Sequence, residues 1–452
     1  MAEATELEKW PDQQNRGHII PGERYTSREF FAKEWEGMWT KVWLLLGREA
    51  QIPNPGDWQM EPVGPEEILM VRQADGGVKA FYNVCQHRGN PLVDDPRGHV
   101  RSRFVCKYHS WAFLPDGSLN FAPDKDDFSQ GNPCEHIRLA ELSCETFAGF
   151  IWVNMDPDAK PLKDFLGPIW DEWEAREVHT WRRTMANTMW LPCNWKVVLD
   201  NFNESYHVPT VHMAASTDTD RTKIRGNINT YYKETRFDLA DEGHNRMIMK
   251  GGYGAGQTDK EGNILEPLAS LLTYWEIDPA DYKGRPEDTR EALQQAKRKL
   301  GPDRGFTHYA NVPAEQLTDA FHYTLMPNFA VSLWADGFHF LRARPHPEDP
   351  GQCLFDNWWY SSPASLEAPS IQRSDASVPG QVNPDTNEVD VNLLTYPDDS
   401  IGPAIEEDVA VFVTQQRGFR SRGFKGVYLA DQEKRIRRYH ELIDDYIEGR
   451  LP

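Results

Sequence analysis

Cysteine is scarce in this 452-residue chain, with six in all, too few to frame a disulfide-stapled fold of this length. No stretch approaches the ~18 consecutive apolar residues that would cross a bilayer. The longest apolar run near the start, Val42-Trp43-Leu44-Leu45-Leu46, reads as a strand. The opening residues, Met1-Ala2-Glu3-Ala4-Thr5-Glu6, lack the apolar core of a secretory signal, so a cytoplasmic location is expected and no membrane partner. Positive charge is also short. Forty-nine basic against 70 acidic residues leave a net charge of −21, a surface that repels phosphate backbones and attracts a partner with a basic face. Nucleic acid is therefore not an expected partner. There is no internal repeat. What the chain has in plenty is aromatic area, from 16 Trp, 16 Tyr and 21 Phe, and length enough for two or three domains with cores of their own.

Three regions follow. Residues 1–40 are a polar arm and then a helix, which Thr26-Ser27-Arg28-Glu29 opens as a capping box. Residues 41–160 alternate short apolar runs with turns such as Pro53-Asn54-Pro55-Gly56 and Pro115-Asp116-Gly117, the rhythm of an antiparallel β domain. Its clearest strands are 78–84 and 147–153. The stretch Asp156-Pro157-Asp158-Ala159-Lys160-Pro161 marks a junction. Residues 161–452 mix helices and strands, with strands at 331–334, 338–341 and 354–359. Two stretches, 251–312 and 361–400, are rich in Gly, Pro, Asp and Ser and read as insertions or mobile loops. The last helix is expected to start at Asp431 and to bury Ile436, Tyr439, Leu442, Ile443 and Tyr446 as a stripe.

Two groups of residues carry chemistry. Cys85-Gln86-His87 is followed by Cys106-Lys107-Tyr108-His109. Each turn can aim a thiolate and an imidazole at one metal centre, which suits zinc or an iron–sulfur cluster. A zinc finger pairs like ligands, Cys with Cys and His with His; here each loop holds one of each. That arrangement, with Arg88-Gly89 and Ser110-Trp111 following, matches the 2Fe–2S Rieske pattern, in which two Cys hold one iron and two His the other. The imidazoles His87 and His109 should be open enough to meet a redox partner or another subunit. The remaining cysteines, Cys134, Cys144, Cys193 and Cys353, show no paired spacing and read as inert thiols.

The second group is Asp200, Glu204, His207 and His212, an acid–x3–acid–x2–His–x4–His arrangement. On one unbroken helix, residues five apart lie ~140° apart, a poor fit to one ion. Pro209 between the histidines offers a break that could swing His212 back. Two His and one carboxylate on one face of Fe(II) leave positions open for O2 and substrate. The carboxylate must come from elsewhere. In Ile405-Glu406-Glu407-Asp408-Val409-Ala410-Val411-Phe412-Val413, Asp408 falls inside the apolar arc of a helix, where a charge needs a partner such as a metal. An acidic first helical turn explains Glu406 and Glu407 but not Asp408. Glu406, at the edge of the arc, is the alternative ligand, and Glu407 points away.

Together these residues resemble the large catalytic subunit of Rieske non-haem iron oxygenases, also called ring-hydroxylating oxygenases, over nearly the whole chain. The resemblance implies an α+β fold: an N-terminal Rieske antiparallel β domain, then a helix-grip catalytic domain, an antiparallel sheet wrapped round a long helix. It implies a 2Fe–2S Rieske cluster on Cys85, His87, Cys106 and His109, and a mononuclear Fe(II) on His207, His212 and Asp408. It also implies a homotrimer, or an α3β3 assembly with a small β subunit, fed electrons from NAD(P)H by a ferredoxin or flavin reductase. In such assemblies an acidic residue bridges the cluster of one subunit to the iron of the next. By position that residue is Glu204, reaching His207 and the His109 of a neighbouring subunit. Many ring dioxygenases have Asp there, whereas members acting on quaternary ammonium compounds have Glu. Asp200 matches the motif's outer acid and is expected to orient the ligands. The implied reaction is O2-dependent hydroxylation of an aromatic or polycyclic substrate, or else monooxygenation or demethylation of a quaternary ammonium compound. Phe202, Met213, Phe329, Phe338 and Phe340 are candidate pocket linings, with ordinary core as their alternative.

Overall fold

The first helix starts one residue later than the capping box places it: Ser27, not Thr26, is the cap, its hydroxyl accepting from the Phe30 N–H at 3.2 Å, and the helix Arg28–Glu34 runs into a wider turn, Trp35–Trp39. The computed structural model describes residues 19–212, 235–238, 243–251, 257–368 and 381–451. Among them no helix is long and apolar enough to cross a membrane.

The β-rich region forms a seven-stranded antiparallel sheet. Its order is Leu44–Arg48, Phe150–Asn154, Glu141–Phe147, Val78–Tyr82, Glu66–Arg72, Asp57–Val63 and Arg97–His99. A strand points successive side chains to opposite faces, and here the alternation separates two cores. Ile68, Met70 and Ala80 join the main core of the molecule. Leu69, Val71 and Phe81 join a smaller one with Cys85, Cys106, Trp111 and Phe113. The two Cys-His loops therefore stand on the side of this sheet turned away from the rest of the chain.

The second sheet has eight strands in the order Arg236–Asp238, Asn245–Met249, Ala320–Leu325, Phe329–Leu333, Gly337–Pro345, Cys353–Ser361, Arg182–Leu191 and Asn392–Leu394. All pairings are antiparallel except the last, where Asn187–Met189 runs parallel to Asn392–Leu394. One face meets the first sheet. Trp152 packs on Phe329 with centroids 5.8 Å apart, and Phe150 stacks on Phe340 at 6.4 Å. Arg342 Nη1 donates to the Leu45 carbonyl at 2.6 Å. Phe329, Phe338 and Phe340 are thus core between the two sheets rather than pocket lining: alternation puts them on one face but does not say which face is open. Buried at this contact, Asp356 accepts from Arg342 Nε at 2.7 Å, Arg344 Nη2 at 2.9 Å and Thr188 Oγ1 at 2.8 Å. Burial pushes its carboxyl up, but the two guanidinium groups more than offset this and hold it below the ordinary value.

The other face is gripped by helices. Trp195–Phe202 lies against it, with Phe202 stacked on Phe355 at 6.1 Å and edge-on to Phe412 at 6.0 Å. Phe202 is therefore packing as well, and Met213 lies outside the described residues. Pro403–Phe419 and Lys434–Ile447 flank that helix. The stripe Ile436, Tyr439, Leu442, Ile443 and Tyr446 is buried as expected.

Of the stretch 251–312, expected to be an insertion or a mobile loop, residues 257–312 form a folded unit with helices Leu268–Tyr274 and Thr289–Leu300, an insertion with structure of its own. Leu272, Trp275, Leu293, Phe306 and Tyr309 make its own core. The apolar residues sit in short helices and 3-10 turns, so no long periodic pattern announces them. Among the described part of 361–400 are the short helix Pro363–Glu367 and the edge strand Asn392–Leu394. Cys193 and Cys353, distant in sequence, bring their buried sulfurs to 3.8 Å, and burial pushes the Cys353 thiol well up.

Candidate metal centres

The two Cys-His loops share one backbone skeleton. The Cys85 N–H donates to the Asn90 carbonyl and the Gly89 N–H to the Cys85 carbonyl, at 2.9 and 3.0 Å; Cys106 with Trp111 and Ser110 with Cys106 repeat the pattern at 2.8 and 3.0 Å. The residue four after each cysteine has positive φ, 75° at Gly89 and 60° at Ser110. The first loop meets that demand with glycine. The turn brings both thiols inward, where they are buried, and both imidazoles outward, half-buried. His87 and His109 lie with ring centroids 4.6 Å apart, and Trp111 stacks under His87 at 4.7 Å.

These donors fit a cluster. Nδ1 of His87 is buried with no hydrogen-bond partner, a vacancy a metal bond fills. Burial pushes the Cys85 thiol to about 11, with Cys106 beside it adding to the rise, so a cation beside Cys85 would favour its thiolate. Among the described residues, the only three or more His, Cys, Asp or Glu donors lying within 4.8 Å of one another are those of His207, His212 and Asp408. The loop donors do not converge that tightly, as a single tetrahedral zinc would require; a two-iron cluster would be held by Cys85 and Cys106 on one iron and His87 and His109 on the other.

The second site is assembled from two helix ends. Trp195–Phe202 is capped by Asn194, whose side chain accepts from the Lys196 N–H at 3.0 Å. It stops at Asn203, and a single further turn, Val208–Val211, has His207 at its start and His212 at its end. The break thus falls at residues 203–206 rather than at Pro209, which occupies the first turn, where a missing N–H costs nothing. His207 Nε2 lies 3.4 Å and His212 Nε2 3.3 Å from the same oxygen, Oδ1 of the buried Asp408. Asn201 Nδ2 donates to that oxygen at 3.1 Å.

Each imidazole is turned by a carboxylate behind it. Glu204 Oε1 sits 2.6 Å from His207 Nδ1, and its other oxygen accepts the backbone N–H of His207 at 3.0 Å and that of Tyr206. Glu407 Oε2 sits 2.9 Å from His212 Nδ1. With Nδ1–H given to carboxylates, both Nε2 atoms face Asp408, where each can carry a proton or offer its lone pair to a bound ion. The His212 imidazole is pushed up to about 9, first by its hydrogen bond to Asp408 and then, against burial, by the Asp408 charge and Glu407. The site thus draws positive charge to itself, which suits a divalent ion.

Two expectations need correction. Asp200 does not touch either histidine. Its oxygens accept from Tyr25 OH at 2.6 Å and lie 3.2 Å from His440 Nε2, so it pins the helix to the N-terminal segment and the last helix. Glu407 does not point away; it holds His212. A helical wheel places it outside the apolar arc, and only the return of residues 207–212 supplies its partner. Glu406 is bonded to Ser400, away from the triad.

Beside the triad, the gripped sheet face carries a row in register, His322, Ser332, His339 and Trp359. Ser332, Trp334, His339 and Trp359 are half-buried where most neighbours on the face are closed. Trp359 stacks on His339 at 4.5 Å and 9°, and Trp334 on Trp359 at 5.4 Å and 15°. Burial holds the His339 imidazole down at about 4.

The family profile described as the ring hydroxylating alpha subunit catalytic domain matches residues 173–449, and that of the Rieske [2Fe-2S] domain matches residues 42–140. The chain is 33% identical over 206 residues to the carnitine monooxygenase oxygenase subunit of Escherichia coli K12, covering 45% of this chain and 54% of that relative. It is 28% identical over 363 residues to the biphenyl 2,3-dioxygenase alpha subunit of Rhodococcus jostii RHA1, covering 76% and 70%. In fold it is similar to naphthalene 1,2-dioxygenase from Rhodococcus sp., with TM-score 0.66, 18% identity and coverage of 99% and 98%. It is also similar to the quaternary ammonium Rieske monooxygenase CntA, with TM-score 0.62, 19% identity and 95% of each chain covered.

Proposed function

The chain belongs to the ring-hydroxylating alpha-subunit family, with that family's Rieske 2Fe–2S and mononuclear-iron cofactors, and on this premise we propose that it is the oxygenase component of an O2- and NAD(P)H-dependent system that hydroxylates an aromatic or polycyclic substrate. Cys85, His87, Cys106 and His109 hold the cluster; His207, His212 and Asp408 hold the iron. The observation that carries this reading is the meeting of two imidazole Nε2 atoms on one buried Asp408 oxygen, beside an aromatic wall. Bound there, ferrous iron supplies open positions for O2, and the cluster supplies electrons. Glu204 and Glu407 keep the Nδ1 protons of His207 and His212 and so fix both rings. Asn201 steadies Asp408, and Trp334 and Trp359 offer flat apolar surface for a ring to lie against.

The layers of the fold support electron delivery from another copy. Within one chain the order is cluster loops, first sheet, second sheet, iron donors. Stacked sheets lie ~10 Å apart, so the two sites are on the order of 20–30 Å apart in one chain. Glu204 is the bridge in this proposal, joining His207 to the partner subunit's cluster in a homotrimer or α3β3 assembly fed by a ferredoxin or flavin reductase. A cytoplasmic location and a division into residues 1–40, 41–160 and 161–452 belong to the same proposal, although Tyr25 of the first segment is bonded to Asp200 of the third.

A second reading, oxidation of a quaternary ammonium compound, is favoured by Glu204 itself and by the match to carnitine monooxygenase. O2 uptake with product mass spectrometry separates the two. Naphthalene should gain oxygen, and His207→Ala should abolish this while keeping the cluster spectrum. Oxidation of γ-butyrobetaine with naphthalene untouched would favour the second reading, and full turnover by His207→Ala would remove the iron assignment.

A further inference from the structure

The aromatic wall beside the iron donors has a fixed hydrogen-bonding polarity. His339 Nε2 lies 2.5 Å from Asn357 Oδ1. The Asn357 amide cannot be turned round: its Nδ2 donates to the Ile401 carbonyl at 2.9 Å, and a carbonyl only accepts. Asn187 Nδ2 donates to the same carbonyl at 3.2 Å and holds the arrangement from the next strand. Oδ1 of Asn357 is therefore the acceptor, His339 carries its proton on Nε2, and its Nδ1 is a lone pair.

His322, two strands away in the same row, has the same tautomer with both nitrogens used. Its Nε2 donates to the Phe202 carbonyl at 2.5 Å, and its Nδ1 accepts from Ser332 Oγ at 2.7 Å. Among the described residues no such partner meets Nδ1 of His339. The ring is half-buried, stacked on Trp359, and near enough to Asp408 to feel its charge.

We propose that Nδ1 of His339, with the wall of Trp334 and Trp359, selects substrates that join a flat aromatic ring to a hydroxyl or amino hydrogen-bond donor, the phenol or arylamine class. This rests on His207, His212 and Asp408 being the iron site. A plain arene or an ether fills the wall but leaves the acceptor unpaired once water is excluded, so it binds there more weakly than an analogue that carries a donor. A quaternary ammonium group has no hydrogen to offer at its charged nitrogen. It is best held by rings turned about one centre, whereas these lie parallel within 15°.

The test is calorimetric titration of the iron-loaded protein with 2-naphthol, 2-methoxynaphthalene, naphthalene and γ-butyrobetaine, with iron and cluster content measured on the same sample. 2-Naphthol should bind at least about tenfold more tightly than 2-methoxynaphthalene. His339→Leu should erase that ratio and leave naphthalene binding in place. Asn357→Leu, which frees the ring to carry its proton on Nδ1, should narrow the ratio with the wall intact, so the test does not depend on one variant folding. Equal affinities for the two naphthyl compounds, tightest binding of γ-butyrobetaine, or no aromatic binding by fully loaded protein would overturn the proposal and leave the iron site standing. A preparation that takes up no iron at the triad would instead overturn the reading beneath it.

Discussion

Replacing Glu407 by alanine removes the carboxylate that holds His212 Nδ1 at 2.9 Å and leaves all three proposed iron donors, His207, His212 and Asp408, in place. Losing the partner behind a metal-bound histidine costs about 10–100-fold in metal affinity. Where in that range Glu407 falls depends on its surroundings. Its side chain is 27% exposed and makes one bond to the ring, so water replaces part of what is lost. Glu204 is 8% exposed and also holds the backbone N–H groups of Tyr206 and His207. Glu407→Ala should therefore weaken iron binding about tenfold, roughly 1.4 kcal/mol, and Glu204→Ala about a hundredfold. Graded competition with a ferrous chelator reads both, and the visible spectrum of the cluster serves as internal control. Iron retention by Glu407→Ala equal to the parent, a smaller effect at Glu204 than at Glu407, or parallel loss of the cluster spectrum would refute the reasoning.

Other outcomes follow from the same contacts. Asp200→Asn should cost about 1–3 kcal/mol of stability through its bonds to Tyr25 and His440 and leave iron content unchanged; loss of iron would return Asp200 to the ligand-orienting role expected of it. Asp356→Asn should destabilise by about 3 kcal/mol in denaturant titration, the low end for breaking a buried pair, because it leaves Glu61 as the remaining carboxylate beside the buried Arg342 and Arg344. Because the folded Asp356 carboxyl is held below its ordinary value, its contribution is full above the unfolded-state pKa and is lost only as pH falls through the depressed one; the parent should therefore lose its advantage over Asp356→Asn only below the ordinary carboxylate range. Leu272→Ala, in the core of the 257–312 unit, should cost about 2–5 kcal/mol and expose that unit to protease, whereas a mobile loop would be indifferent.

The proposed metal donors are legible in the sequence because their chemistry is local. Cys85, His87, Cys106 and His109 need only two short turns, and Asp408 betrays itself as a charge inside an apolar arc. What surrounds them depends on chain return. Glu407 looks solvated on its own helix, and Asp200 looks like a ligand support until Tyr25 and His440 arrive from the two ends of the chain. The phenylalanines at 329, 338 and 340 share a face, but only packing against Phe150 and Trp152 shows it to be the closed one. Trp334, His339 and Trp359, on the helix-covered face, carried the same alternation signal. In 257–312, Trp275, Phe306 and Tyr309 build a core from turns too short to show a period.

The most direct test of two separate metal centres is iron, zinc and acid-labile sulfide analysis of the parent, Cys106→Ser and His207→Ala proteins. The parent should contain about three irons and two sulfides per chain. Cys106→Ser should lose the sulfide with its two irons and keep the third, and His207→Ala should lose one iron and keep all sulfide. Zinc in place of iron, or both variants losing the same metal, would contradict the account.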